Sequence, residues 1–241
     1  MAGKHWIAAL LLAPLLWQPV AAQDDSKDGG VVVVNGTRSP ELQPYRYMLS
    51  GLDAFDDYHE LAPAATEVRF RLRTRKSAPD DAMDGLTVRL WGDKTELILP
   101  LAVDHSFVLP RNSAAEDDNA DVAVNKKKSY YNWMPEVHSA GVPANMRRLG
   151  DLRLECRVLV GIGKNYIPFL LRATINTLLL TTDWCSFKDF TWYVRTDREI
   201  TRATLVDGTQ RVELKISKDG NAFDAPIGNK LYSNDALIQF E

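Results

Sequence analysis

Residues 1–22 constrain this chain more than any other stretch, because they decide the redox conditions and the compartment in which the rest must fold. Lys4 precedes the apolar run Trp6–Trp17, which only Pro14 interrupts. Val20-Ala21-Ala22 then places small residues three and one positions before a cut after Ala22. That charged, apolar, small-residue order marks a cleavable secretory signal. The run is shorter than the ~20 residues a helix needs to cross a bilayer, and Gln23–Asp28 is polar. The expectation is a periplasmic or secreted mature chain. No cysteine lies near the cut to carry a lipid. No membrane span is expected after cleavage, because the next most apolar stretch, Tyr166–Leu180, contains Pro168, Arg172 and Asn176.

Export gives the cysteines a meaning. Cys156 and Cys185 are the only two, and two thiols in an oxidising compartment pair. Neither has a neighbouring histidine, so the expectation is a disulfide and no metal site. The formal net charge is −3 over 241 residues, and losing Lys4 makes it one unit more negative. Such a chain has no electrostatic footprint for nucleic acid. The local clusters Arg69, Arg71, Arg73, Arg75, Lys76 and Lys126-Lys127-Lys128 read as solvated strand faces or turns.

Hydrophobic periodicity predicts a mainly β fold, with one or two β-sandwich-like sections and one N-terminal amphipathic helix. Met48, Leu52, Phe55 and His59 recur at helical spacing between Tyr45 and Leu61, with Pro63 as the stop. Val68, Phe70 and Leu72 alternate with Arg69, Arg71 and Arg73, a strand with one buried and one wet face. Further strands are predicted at Val31–Val34, Leu86–Trp91, Glu96–Leu101, Phe107–Leu109, Ala120–Val124, Leu152–Val160, Phe190–Arg195, Ile200–Leu205, Arg211–Ile216 and Leu237–Phe240. Asp207-Gly208 signals a hairpin. Ile167–Leu180 fits a buried helix or a strand equally well. The organisation expected is a signal peptide (1–22), an N-terminal segment with strand and helix (23–65) and a β-rich section (66–128). A linker or long loop (129–150) and a second β-rich section with the disulfide (151–241) complete it.

Pro100-Leu101-Ala102-Val103-Asp104-His105-Ser106-Phe107-Val108-Leu109-Pro110 is similar to the strand-turn-strand of carboxypeptidase-regulatory-like and transthyretin-like β-sandwich modules. His105-Ser106 stands where those modules usually carry glycine. The resemblance implies a β-sandwich fold more than any activity. The layout, including Arg147–Cys156, also resembles exported Gram-negative proteins of unknown function.

Catalytic constellations are sparse. Asp56, Asp57, His59 and Glu60 fall within about one helical turn but fit a solvated face. Asp104-His105-Ser106 has the residue types of a hydrolase triad, yet adjacent side chains point in different directions and cannot form its relay. Gly161–Lys164 is too short for a phosphate loop. Aromatic residues give the binding expectation: Tyr130, Tyr131 and Trp133 in a basic loop, and Trp192 near the disulfide, as a stacking platform for a sugar or peptide. The function expected is a soluble, non-enzymatic envelope accessory or binding protein for a protein or glycan, with no cofactor. A periplasmic hydrolase with a carboxylate-based site and a small outer-membrane barrel are the alternatives.

Overall fold

In the computed structural model, which describes residues 39–188 and 190–241, strands dominate and pair antiparallel throughout. The fold is mainly β, as the alternation predicts. The expected leader and the Val31–Val34 strand lie outside the described residues.

The first half assembles two sheets around one apolar cluster. Strands β1 (Pro40–Pro44), β3 (Val88–Trp91), β4 (Glu96–Leu99) and β6 (Asp121–Lys127) form one sheet in the order β1-β6-β3-β4. Strands β2 (Val68–Thr74), β5 (Ser106–Val108) and β7 (Tyr131–Val137) form the other, with β2 central. Helix α1 (Tyr45–Asp57) buries Tyr45, Met48, Leu52 and Phe55 against this cluster, the stripe its spacing predicts. His59–Leu61 continues it as a single 3-10 turn. The short helix α2 (Ser113–Asp117) is capped by the Asn112 side chain, which accepts from the Ala115 N–H. The Pro100–Pro110 segment contributes a single strand, β5, and β4 ends before it at Leu99.

The second half surrounds another cluster with β8 (Met146–Arg148), β10 (Ala203–Asp207), β11 (Gln210–Glu213) and β13 (Leu237–Phe240), in the order β11-β10-β13-β8. A two-stranded ladder joins β9 (Trp192–Arg195) to β12 (Ala222–Ala225). The Asp207-Gly208 hairpin forms as predicted. Asp207 pairs with Gln210, and Gly208 takes the left-handed φ of +58° that the tight turn requires.

Two expectations are corrected. Leu152–Val160 is not a strand but part of helix α3 (Leu149–Gly163). Its Leu149, Leu152 and Cys156 enter the second cluster, while Leu154, Val158 and Ile162 enter the first. A helix buried on opposite faces places alternate residues about 200° apart, which imitates the period of a strand. Close approach to α1 helps seat it there: a Cβ on Gly161 would lie 2.7 Å from the Ser50 carbonyl oxygen.

Residues 129–150 are not a linker. β7 pairs with β2 over seven residues, from Val68 opposite Val137 to Thr74 opposite Tyr131. Pro135 made the stretch look like a break, but proline is tolerated on an edge strand, and β7 is one. The ambiguous 167–180 stretch resolves as helix α4 (Phe169–Leu179). The disulfide forms as expected, joining Cys156 of α3 to Cys185.

Candidate functional site: an arginine-lined cleft beside strand β9

Three arginines on alternate positions of β2 share one sheet face. Opposite partners in an antiparallel pair point the same way, so β7 adds Asn132, Met134 and Glu136 to that face, across from Arg73, Arg71 and Arg69. The opposite face carries Val68, Phe70 and Leu72 into the core. This arginine face is not the open, solvated surface the sequence suggested. It forms one wall of a cleft whose other wall is β9 and the Thr196–Arg198 turn. Helix α3 and Arg147 close its end. The cleft has an apolar lobe of about 360 Å³ with Met134, Leu159 and Trp192 in its lining. A wider lobe of about 800 Å³ is lined by Arg69, Arg71, Arg195 and Arg198, among others. Arg73, Glu136, Arg147, Val194 and Arg195 border both lobes and make them continuous.

The charges in the cleft are mostly held in place by one another. Asp197 accepts from Arg71 at 2.8 Å and 3.0 Å, a two-point contact, and lies 3.1 Å from Arg73. Glu136 sits 3.4 Å from Arg71 and 3.2 Å from Arg73. Arg71 also donates to the Asp104 carbonyl at 2.9 Å. Burial opposes charge on Asp197, but the Arg71 hydrogen bond and the Arg71 and Arg73 charges outweigh it, leaving its carboxyl below the usual range. Arg195 and Arg198 differ: among the described residues neither has an ion-pair partner, and both are exposed.

At the floor, Arg147 pairs with Glu155 and donates to the Val137 carbonyl at 3.1 Å. Glu155 also accepts the Val137 N–H at 2.8 Å. Burial pushes the Glu155 carboxyl up to about 7, against the pull of Arg147 and the Val137 N–H. The Arg147 Nε is buried with no hydrogen-bond partner among the described residues. The cleft-lining glutamates Glu67, Glu136 and Glu155 are thus each engaged by arginine.

The two strands that border the cleft differ at their open edges. On β7 the outward groups are largely taken: Val137 by Glu155 and Arg147, and the Tyr131 carbonyl by Arg75 at 2.8 Å. Pro135 has no N–H to offer. On β9 the outward edge is free of such guards among the described residues. Thr196 N–H bonds Asn221 of the partner segment, and the Asp224 N–H turns away toward Lys215. Alternation along an antiparallel ladder then directs the backbone groups of Tyr193 and Arg195 away from β12. Consecutive residues of β9, Trp192 to Arg195, line the cleft, as a strand presented edge-on does.

The aromatic residues singled out from sequence do not form one platform. Tyr131 is fully buried, and its hydroxyl donates to the Ala82 carbonyl at 2.6 Å. Burial pushes this phenol up to about 12, and the ring has no face to offer a ligand. Trp133 is half-buried on the core side, with its indole N–H 3.1 Å from the Glu41 carboxylate and its ring edge-on to Phe107. Tyr130 packs on the same side, near the Lys127 ammonium. The alternation of β7 explains this: Tyr131 and Trp133 lie on the face opposite Asn132, Met134 and Glu136. Only Trp192 borders the cleft, largely buried, with exposed Tyr193 beside it.

The remaining candidates have structural partners. In Asp104-His105-Ser106 the Ser106 hydroxyl donates to Asp104 at 2.7 Å, with no histidine between them. His105 occupies the turn at a φ of +60°, where those β-sandwich modules carry glycine. His59 bonds the Ala65 carbonyl at 2.7 Å, and Asp56 pairs with Arg111. Among the described residues no group of three or more His, Cys, Asp or Glu side chains is placed to hold a metal, and no helix is long and apolar enough to cross a membrane. No protein-family model, curated protein or solved structure matches the chain.

Proposed function

We propose that this chain is a non-enzymatic binding protein of the cell envelope, periplasmic or secreted, that holds an extended acidic segment of a protein along the open edge of β9. The observation that carries the reading is the arrangement of that edge: backbone groups of Tyr193 and Arg195 face a cleft walled by arginines. An added strand supplies main-chain hydrogen bonds, and its alternate side chains enter the flanking pockets. Acidic side chains on one face would meet Arg195 and Arg198, the two cleft arginines without ion pairs, and compete with Asp197 for Arg71 and Arg73. Apolar ones would reach the lobe beside Trp192 and Met134. An acidic glycan matches the charge but not the strand edge.

The test uses an alternating Glu-Thr dodecapeptide as probe, with oligogalacturonate as the glycan arm, titrated calorimetrically at low salt into the chain from Gln23 onward. The peptide binds, weakens with added salt, and loses about tenfold or more in affinity in the Arg195→Ala/Arg198→Ala double variant, since charge-assisted contacts are lost. Both residues are exposed, so thermal unfolding of the variant stays close to that of the parent chain. Binding of oligogalacturonate without the peptide, or of neither, refutes the reading.

A further inference from the structure

Helix α4 is built the wrong way out for a globular protein. None of its eleven residues is buried. Phe169, Leu170, Leu171, Leu178 and Leu180 are exposed by 75, 78, 52, 77 and 90 %. At 100° per residue, Phe169, Leu170, Leu171, Ala173, Thr174, Thr177 and Leu178 share one broad outward face, and that face carries no charge. The half-buried residues Arg172, Ile175, Asn176 and Leu179 form the inward side. An apolar helix face of this kind requires a cover.

The charges around α4 indicate what the cover is. From Lys164 to Thr182 the chain contains Lys164 and Arg172 and no acidic residue. The Arg172 Nε is buried without a hydrogen-bond partner, and its side chain has no ion pair among the described residues. Burial lowers the Lys164 ammonium below its usual range, and Arg157 and Arg172 nearby add to this while Asp183 opposes it. Tyr166, half exposed, stands at the entrance to the helix. At roughly 150 Å² per large apolar side chain, the exposed set offers on the order of 500 Å². That is below the ~800 Å² per partner of a standard protein interface. An exposed apolar face with a lysine at its base and an aromatic residue at its end has the composition of a helix lying in a lipid headgroup layer.

We propose that α4 is a peripheral membrane-docking helix, which inserts Phe169, Leu170, Leu171, Leu178 and Leu180 into the headgroup boundary of an anionic bilayer while Lys164 at its base meets lipid phosphate. The helix lies flat on the surface and does not span it. The Cys156–Cys185 bond closes the loop that carries α4 and ties it to the folded body. This inference does not depend on the peptide-binding reading of the cleft.

Co-sedimentation decides it. The chain from Gln23 onward retains the whole compact unit Gly36–Glu241 and lacks the N-terminal apolar run that would itself bind lipid. It should pellet with phosphatidylethanolamine–phosphatidylglycerol vesicles and about tenfold less with phosphatidylcholine vesicles. Leu170→Glu/Leu178→Glu should abolish pelleting with an unchanged melting curve, since both leucines are exposed, and Lys164→Gln should weaken it. Failure of the parent chain to pellet with anionic vesicles overturns the proposal, as does pelleting indifferent to the double glutamate change. Light scattering adds a further arm: a lipid-indifferent dimer that the same change dissociates would assign the face to a second copy instead.

Discussion

Replacing Arg147 with alanine lowers the unfolding free energy by about 3–5 kcal/mol at pH 8, because it strands a buried carboxylate without its partner. The Glu155 side chain is only 4 % exposed, and its carboxyl is already pushed up to about 7 with Arg147 beside it. A carboxyl whose folded pKa is raised contributes stability in full below its unfolded pKa. That contribution is lost as pH rises through the folded value. In the parent chain the loss runs from about 4.5 to about 7. Without Arg147 the folded value climbs further and the loss continues into the alkaline range. The alanine variant is therefore much less impaired at pH 5 than at pH 8, which denaturant unfolding at the two pH values measures directly. Arg147→Met/Glu155→Leu should recover most of the loss at both, since exchanging a buried ion pair for apolar side chains is often close to neutral.

The second large effect concerns the disulfide. Cys156→Ala/Cys185→Ala releases a loop closed by residues 29 apart in sequence, and loop-closure entropy of that length contributes roughly 3–4 kcal/mol. For a chain of this size each kcal/mol moves the melting point by ~2–4 °C, so calorimetry should record a fall of about 10 °C. Both cysteines sit in the second apolar cluster, and the released segment, 157–184, holds α4. Limited proteolysis should accordingly cut first within that segment in the alanine variant, and not in the parent chain.

What could be read from the sequence was local. The α1 stripe, the Arg69–Leu72 alternation and the Asp207-Gly208 turn are each written in neighbouring residues, and each forms. The cysteine pairing followed from the expected compartment and the count of two. The failures have physical causes. α3 is buried from two sides, so the period that should distinguish helix from strand is masked. β7 carries a proline that an edge strand accommodates. The aromatic candidates did not come together for a third reason: Tyr131 and Trp133 lie on one edge strand whose alternation turns them toward the core, while Trp192 lies on β9 and borders the cleft.

The cleft was largely invisible because the sequence distance across it is large. Arg71 and Asp197, which lie against each other, are 126 residues apart, and nothing local announces that β9 comes to rest opposite β2. Three arginines on alternate positions of one strand read as a solvated face, and their partners Glu136 and Asp197 come from distant parts of the chain. Arg147 and Glu155 both stand in the segment Arg147–Cys156, eight residues apart, but their pairing emerges only once the segment is recognised as a strand end followed by a helix.

Amide hydrogen exchange at Tyr193 and Arg195, with and without the alternating Glu-Thr peptide, tests the central claim most directly. If an acidic segment adds as a strand to β9, exchange at one or both of these outward-facing amides slows markedly on binding, while the Val137 amide, already bonded to Glu155, changes little. Peptide binding that leaves both the Tyr193 and Arg195 amides exchanging at their free rates would contradict the account.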